Sequence, residues 1–193
     1  SKGSWIVDIM NNVGYDIAIP GNHEFDFGMD TFLDIAKNQA EYTYVSCNFV
    51  DADGKTVLEP YTMVTYGDVD VAYVGISTPE TLTKSAPAYF QNDKGEYIYG
   101  FCQDKDGKAL YDQVQDTVDA ARKAGAEYVV ALAHLGEDAQ SSPWMSTEVI
   151  ANTTGIDVVL DGHSHTTEPS KTVKNADGEN VLLSQTGTKA ESI

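Results

Sequence analysis

The chain has 193 residues, 41% of them hydrophobic and 22% charged, with 30 acidic against 12 basic side chains and a formal charge of −18. That length suits one domain of moderate size with a real buried core, and no apolar run approaches the roughly 20 residues of a membrane span. The charge works against nucleic acid and anionic membranes as partners, and against anionic substrates at long range unless a metal reverses the local field.

In chain order, residues 3–13 read as a helix, with Ile6, Met10 and Val13 at i, i+4 and i+7, Trp5 and Ile9 alongside, and Gly14 as its C-cap. A strand follows at Asp16 to Ile19, closed by Pro20, and then the loop Gly21-Asn22-His23-Glu24-Phe25-Asp26-Phe27-Gly28. A second helix, Asp30 to Ala40, should bury Phe32, Leu33 and Ala36. Thr43 to Asn48 is strand-like, and its Cys47 is expected as a small buried residue. With only Cys102 beside it, there is no disulfide framework. Asp51 to Gly54 is a turn. Tyr61 to Tyr66 and Val69 to Ile76, joined at Gly67-Asp68, form a hairpin.

Residues 77–107 read as a long irregular excursion with a β-like piece at Tyr97 to Cys102. Leu110, Val114, Val118 and Ala121 mark a helix ended by Gly125. Tyr128 to Ala133 is a continuous apolar strand, Pro143 to Asn152 a weaker helix, and Ile156 to Leu160 another buried strand. Lys171 to Lys174 and Asn180 to Gln185 are the last strands, and the sequence reaches Ile193 with no closing signal. The βαβ alternation with added hairpins implies an α/β fold with a mixed sheet.

The four histidines, His23, His134, His163 and His165, each fall at a strand end. Open α/β sheets place their chemistry there. Asn22 adds a neutral oxygen, His23 a proton carrier, and Asp26 a carboxylate that can orient it. Each piece alone has a commonplace reading: the loop as a capped turn, His134 as a backbone-bonded strand end, His163-Ser164-His165 as a polar turn. Together they form a constellation of imidazole and oxygen that suits Zn²⁺, Mn²⁺ or Fe²⁺ better than Ca²⁺ or Mg²⁺. His-x-His on a non-helical segment points its rings apart, so one stretch can serve two neighbouring ions.

Gly-Asn-His-Glu-Phe-Asp (21–26), Ala-His-Leu-Gly (133–136) and Gly-His-Ser-His (162–165) resemble the later signature blocks of the calcineurin-like metallophosphoesterases. Thr78-Pro79-Glu80-Thr81 and residues 11–16 resemble the bacterial 5′-nucleotidase branch in particular. The resemblance implies a layered α/β/β/α sandwich with mixed sheets, incomplete at both ends. It implies that Asn22, His134 and His163 bind one divalent ion and His165 a second, with His23 beside the phosphate, oriented by Asp26. A hydrolase of nucleotides or other small phosphate esters outside the cytoplasm is implied too, whether secreted, periplasmic or attached to the cell wall. Oligomeric state stays open.

The family's upstream Asp-x-His and bridging Gly-Asp do not occur before Gly21, so residues 1–193 read as part of a catalytic domain, without those blocks and without the nucleotide-specificity domain. Weak metal binding, poor hydrolysis and an exposed sheet edge that invites pairing are the corresponding expectations. Alternatives within the fold are a 2′,3′-cyclic-nucleotide phosphodiesterase and a nucleotide-sugar hydrolase. Outside enzymes, the alternative is a non-catalytic surface or binding domain.

Overall fold

Runs of β-branched and small apolar residues without polar alternation, such as Val71 to Ile76 and Tyr128 to Ala133, are what a strand covered on both faces requires. In the computed structural model, which describes residues 3–189, they lie at the centre of the main sheet. Ile193, and with it the missing closing signal, lies outside the described residues.

The elements begin with α1 (Ser4–Val13), β1 (Ile17–Ala18), a 3₁₀ turn (Asn22–Phe25) and α2 (Met29–Asp34), which continues as a π turn (Ile35–Gln39). Next come β2 (Thr43–Tyr44), β3 (Val50–Asp51), β4 (Tyr61–Tyr66), β5 (Val69–Ser77), α3 (Thr81–Lys84), a 3₁₀ turn (Pro87–Phe90) and β6 (Tyr99–Gly100). The rest is α4 (Lys108–Lys123), β7 (Tyr128–His134), a short 3₁₀ turn (Ala139–Ser141), α5 (Ser146–Ala151), β8 (Val158–Asp161), β9 (Thr167–Lys174) and β10 (Asn180–Thr186).

The main sheet has the order β4-β5-β7-β8-β10-β9. The four central strands run parallel, and β4 and β9 pair antiparallel at the edges. The fold is therefore a mixed α/β one, as expected. Alternate residues set the layers. Ala72, Val74, Ile76, Val129, Ala131 and Ala133 face Leu110, Val114, Val118 and Ala121 of α4 in one core. The opposite face, which carries Leu132 and Leu160, looks toward the parallel β1–β2 pair across a cleft of about 440 Å³. Beyond β1–β2 a second, aromatic core joins α1, α2 and the 77–107 excursion. That excursion is pinned by β6 pairing with β3.

Gly75 holds the two layers in contact. A Cβ there would meet the Val45 carbonyl oxygen at 2.2 Å, and the Gly75 carbonyl accepts from the Cys47 N–H at 2.8 Å. Only glycine permits so close a backbone crossing.

The rotation of α1 departs from expectation. The Ile6, Met10 and Val13 spacing does mark a helix, yet Ile6 and Val13 are 60% and 70% exposed and Val7 is the buried residue. Asn11 explains it. Its amide donates to the Gln39 carbonyl and accepts from the Glu41 N–H, which fixes the helix with Val7 and Met10 inward.

Candidate metal centre

The 21–28 loop is held from three sides. The Ser77 hydroxyl, at the end of β5, reaches the Pro20 carbonyl at 3.3 Å and the Ser46 hydroxyl at 2.9 Å. The Gly21 N–H donates to Glu24 Oε2 at 2.6 Å, closing the turn. Phe25 is fully buried among Phe32, Phe49, Phe90 and Phe101, with ring centroids 4.7–5.7 Å apart. Thus anchored, the loop buries Asn22 beneath the ends of β7 and β8. Gly21 must lack a side chain, since a Cβ would lie 2.8 Å from His134 Nε2.

Strand parity brings the imidazoles to that amide. His134 ends β7 on the face shared with Leu132, toward the loop. Asp161 ends β8 on the other side, and its carboxylate accepts from the N–H groups of Leu135, Gly136 and Gly162. It thereby ties the loop after β7 to the loop after β8. Ser164 adds a second tie, accepting from the Glu137 N–H at 3.0 Å. Between these braces His163 and His165 take positive φ angles of 81° and 58°. Such angles are uncommon outside glycine and are kept here by the surrounding hydrogen bonds.

Asn22 Oδ1 then lies 3.1 Å from His134 Nε2 and 3.1 Å from His163 Nδ1. The two rings are 5.0 Å apart at their centroids. The far nitrogen of His163, Nε2, meets Glu80 Oε2 at 2.8 Å, and the same oxygen accepts from the buried Ser141 hydroxyl at 2.7 Å. Burial, and after it the charges of His163, His23 and His165, push His134 down to about 4, so its ring is neutral at ordinary pH. Burial alone would raise the Glu80 carboxyl. The Ser141 and His163 hydrogen bonds and the Lys84 charge outweigh it and leave Glu80 below the ordinary carboxylate value.

His23 stands at the open side, 77% exposed, with Nδ1 2.7 Å from Asp26 Oδ2. The other Asp26 oxygen accepts from Ser85 at 3.2 Å. Asp26 therefore orients His23 and does not cap α2, whose N-cap is Gly28. His165 is exposed, and no hydrogen bond among the described residues engages its ring. It comes near enough to His134 to shift its titration.

A divalent cation fits the first group. Metal–ligand bonds of about 2.0–2.2 Å place two ligands of one ion about 2.9–3.4 Å apart. Both Asn22 contacts fall in that interval. Glu80 is acceptor-only, so a neutral His163 carries its proton on Nε2 and turns the Nδ1 lone pair to the Asn22 oxygen. Two acceptors in contact repel, and a cation between them removes the conflict. Among the described residues no three His, Cys, Asp or Glu side chains form a metal cage by themselves. The third polar atom beside the two imidazoles is the Asn22 amide oxygen. Sequence reasoning assigned no role to Glu80 or Ser141. Glu80 stands out only as part of the Thr78-Pro79-Glu80-Thr81 run and Ser141 not at all, because the contact of Glu80 with His163 spans 83 positions.

With the geometry in hand, comparison with known proteins decides the lineage. The family model described as bacterial capsule synthesis protein PGA_cap matches residues 3–181. The chain belongs to the PGA_cap family. It is 30% identical over 178 residues to the trifunctional nucleotide phosphoesterase protein YfkN of Bacillus subtilis, covering 86% of this chain and 11% of that protein. The solved calcineurin-like phosphoesterase YfkN superposes with a TM-score of 0.77 at 23% identity, over 95% of this chain and 57% of that one. A 2′,3′-cyclic-nucleotide 2′-phosphodiesterase/3′-nucleotidase of Yersinia enterocolitica is 30% identical over 188 residues, 87% of this chain and 26% of the relative. The solved 5′-nucleotidase precursor of Thermus thermophilus gives a TM-score of 0.72 at 25% identity, over 95% of this chain and 35% of that one. This PGA_cap chain thus has the fold of the calcineurin-like phosphoesterases, and its sequence relatives are nucleotide phosphoesterases. It spans about a tenth to a quarter of the length of the two sequence relatives.

Proposed function

We propose that residues 1–193 are part of the catalytic domain of a metal-dependent hydrolase of nucleotide phosphate esters. The observation that carries this reading is the meeting of His134 Nε2 and His163 Nδ1 at one amide oxygen, each at 3.1 Å, beside an exposed histidine backed by a carboxylate. In this reading Asn22, His134 and His163 hold one divalent cation, with zinc, manganese or iron best suited to the donors, and His165 contributes to a second. When bound, such a cation supplies Lewis-acid polarisation of a phosphoryl oxygen. His23, held by Asp26, donates a hydrogen bond to a phosphoryl oxygen and offsets the charge that grows there. The nucleotide phosphoesterases among its relatives favour a nucleotide as the ester, with a 2′,3′-cyclic phosphodiester as the second substrate class. The precursor form of the Thermus relative supports a place outside the cytoplasm.

Calorimetric titration of Mn²⁺ or Zn²⁺ into the metal-free chain tests the reading. Binding should weaken at least about tenfold, roughly 1.4 kcal/mol, in Asn22→Ala, His134→Ala and His163→Ala. In the presence of metal, His23→Ala should weaken the binding of AMP while leaving metal affinity unchanged. Equal metal affinity across the first three variants would end the proposal.

A further inference from the structure

We infer that Glu80 is a positioning residue whose carboxylate sets His163 as a ready cation ligand. This rests on the proposed metal reading of the same site. Glu80 sits three residues past the end of β5, 8% exposed, at the start of α3. Burying a carboxylate is costly unless it is well bonded. This one is held at both oxygens: Oε2 accepts from Ser141 at 2.7 Å and from His163 Nε2 at 2.8 Å, and Oε1 lies 3.4 Å from Lys84 Nζ.

The consequence is directional. An acceptor-only partner at Nε2 leaves Nδ1 as the free nitrogen of the neutral imidazole, and Nδ1 is the atom that meets Asn22. A free imidazole rotates and populates both tautomers. Here one tautomer and one ring orientation are selected before any cation arrives. The backbone alone does not achieve this, because φ of 81° at His163 directs Cβ but leaves the ring free to turn. A carboxylate on the outer nitrogen also makes the inner one a stronger donor to metal. Ser141, itself 2% exposed, extends the chain of contacts and keeps the carboxylate from following the imidazole.

Glu80→Ala and Glu80→Gln test the assignment, with Ser141→Ala as a milder perturbation of the same contact. Two readouts are needed on folded protein: the ¹⁵N shifts of the His163 ring without metal, and Mn²⁺ or Zn²⁺ affinity by calorimetry. The parent chain should show His163 as the Nε2–H tautomer. Glu80→Ala should show mixed tautomers and lose about 10–100-fold in metal affinity. Glu80→Gln keeps an acceptor oxygen and should recover most of both. If Glu80→Ala does not fold, Glu80→Gln and Ser141→Ala carry the measurement, with smaller shifts in the same direction. An unchanged tautomer with unchanged affinity would overturn the role of Glu80 and leave the metal reading standing. Failure of the parent chain to bind metal would end the metal reading, while the metal-free spectra would still decide whether Glu80 sets the ring.

Discussion

Asp161 braces the rim without touching the Asn22 amide in any hydrogen bond among the described residues. Its carboxylate accepts three backbone N–H groups from two different loops. An asparagine would keep Oδ1, which all three N–H groups reach, but would set an NH₂ donor in place of Oδ2 against the Gly136 N–H that lies 3.0 Å from it, a clash of donors that costs about 1–3 kcal/mol. Asp161→Asn should therefore lower the urea midpoint by that equivalent and weaken metal binding, because the loops bearing His134 and His163 lose their common brace. A variant with parental stability and affinity would show that the brace is dispensable. The two cysteines make the opposite kind of case, residues whose environment keeps them inert. Both are free thiols. Burial pushes Cys47 up to about 12 and Cys102 up to about 11. The nucleophile is the thiolate, and a thiol raised to about 11 is ionised only to about one part in a thousand at pH 8. A maleimide or disulfide reagent at pH 8 should label the native chain at least about a hundredfold more slowly than the chain in guanidinium, where the thiols return to their ordinary range. The native rate should rise with pH toward those values. Rapid native labelling would mean that the segment after β2 that holds Cys47, or the one around Cys102, opens far more readily than its packing implies.

Gly75 shows how an element is fixed by one missing atom. β5 and the stretch after β2 cross with no room for a Cβ, which would sit 2.2 Å from a backbone oxygen that cannot rotate away. Gly75→Ala should destabilise by about 1–3 kcal/mol or somewhat more, the range for overpacking against immobile groups, seen as a lower midpoint in chemical denaturation. It should also shift Ser77 and so disturb the loop hung from it through Pro20. A near-neutral substitution would show that the two layers can slide apart. From sequence, β5 is plain because Val71 to Ile76 is an unbroken apolar run, but the demand on Gly75 is invisible, since its neighbour Val45 is distant along the chain. The same division runs through the rest. Strands β7 and β8, helix α4 and the turns at Gly14 and Gly67 follow from local chemistry, and the strand-end histidines follow with them. The rotation of α1 does not, because an apolar periodicity says that a helix has a greasy side and not which side Asn11 will turn inward. Glu80 does not either, because its buried position depends on partners in two other loops.

Charge acts on the entire chain at once. Thirty acidic side chains against 12 basic ones make a folded body with a radius of gyration of about 16 Å, compared with about 47 Å unfolded. Folding therefore concentrates the repulsion. At roughly 0.01 M ionic strength the screening length is about 30 Å, so every charge acts on every other; at roughly 0.15 M it is about 8 Å, and only neighbours interact. The melting temperature should accordingly rise as NaCl is raised from about 0.01 to about 0.15 M, by an amount that calorimetry or circular dichroism resolves. Divalent ions add a second contribution if the rim binds them. A ligand at about 100 times its Kd stabilises the native state by about 2.7 kcal/mol. Mn²⁺ at low concentration, with ionic strength held constant, should then raise the melting temperature beyond the NaCl effect. His163→Ala should lose that excess and keep the NaCl effect, because one neutral histidine leaves the formal charge of −18 untouched. If the excess survives in His163→Ala, Mn²⁺ is acting on diffuse surface carboxylates and not at the rim. If raising NaCl fails to stabilise the chain, the acidic groups are already spaced or paired well enough that repulsion does not limit its stability.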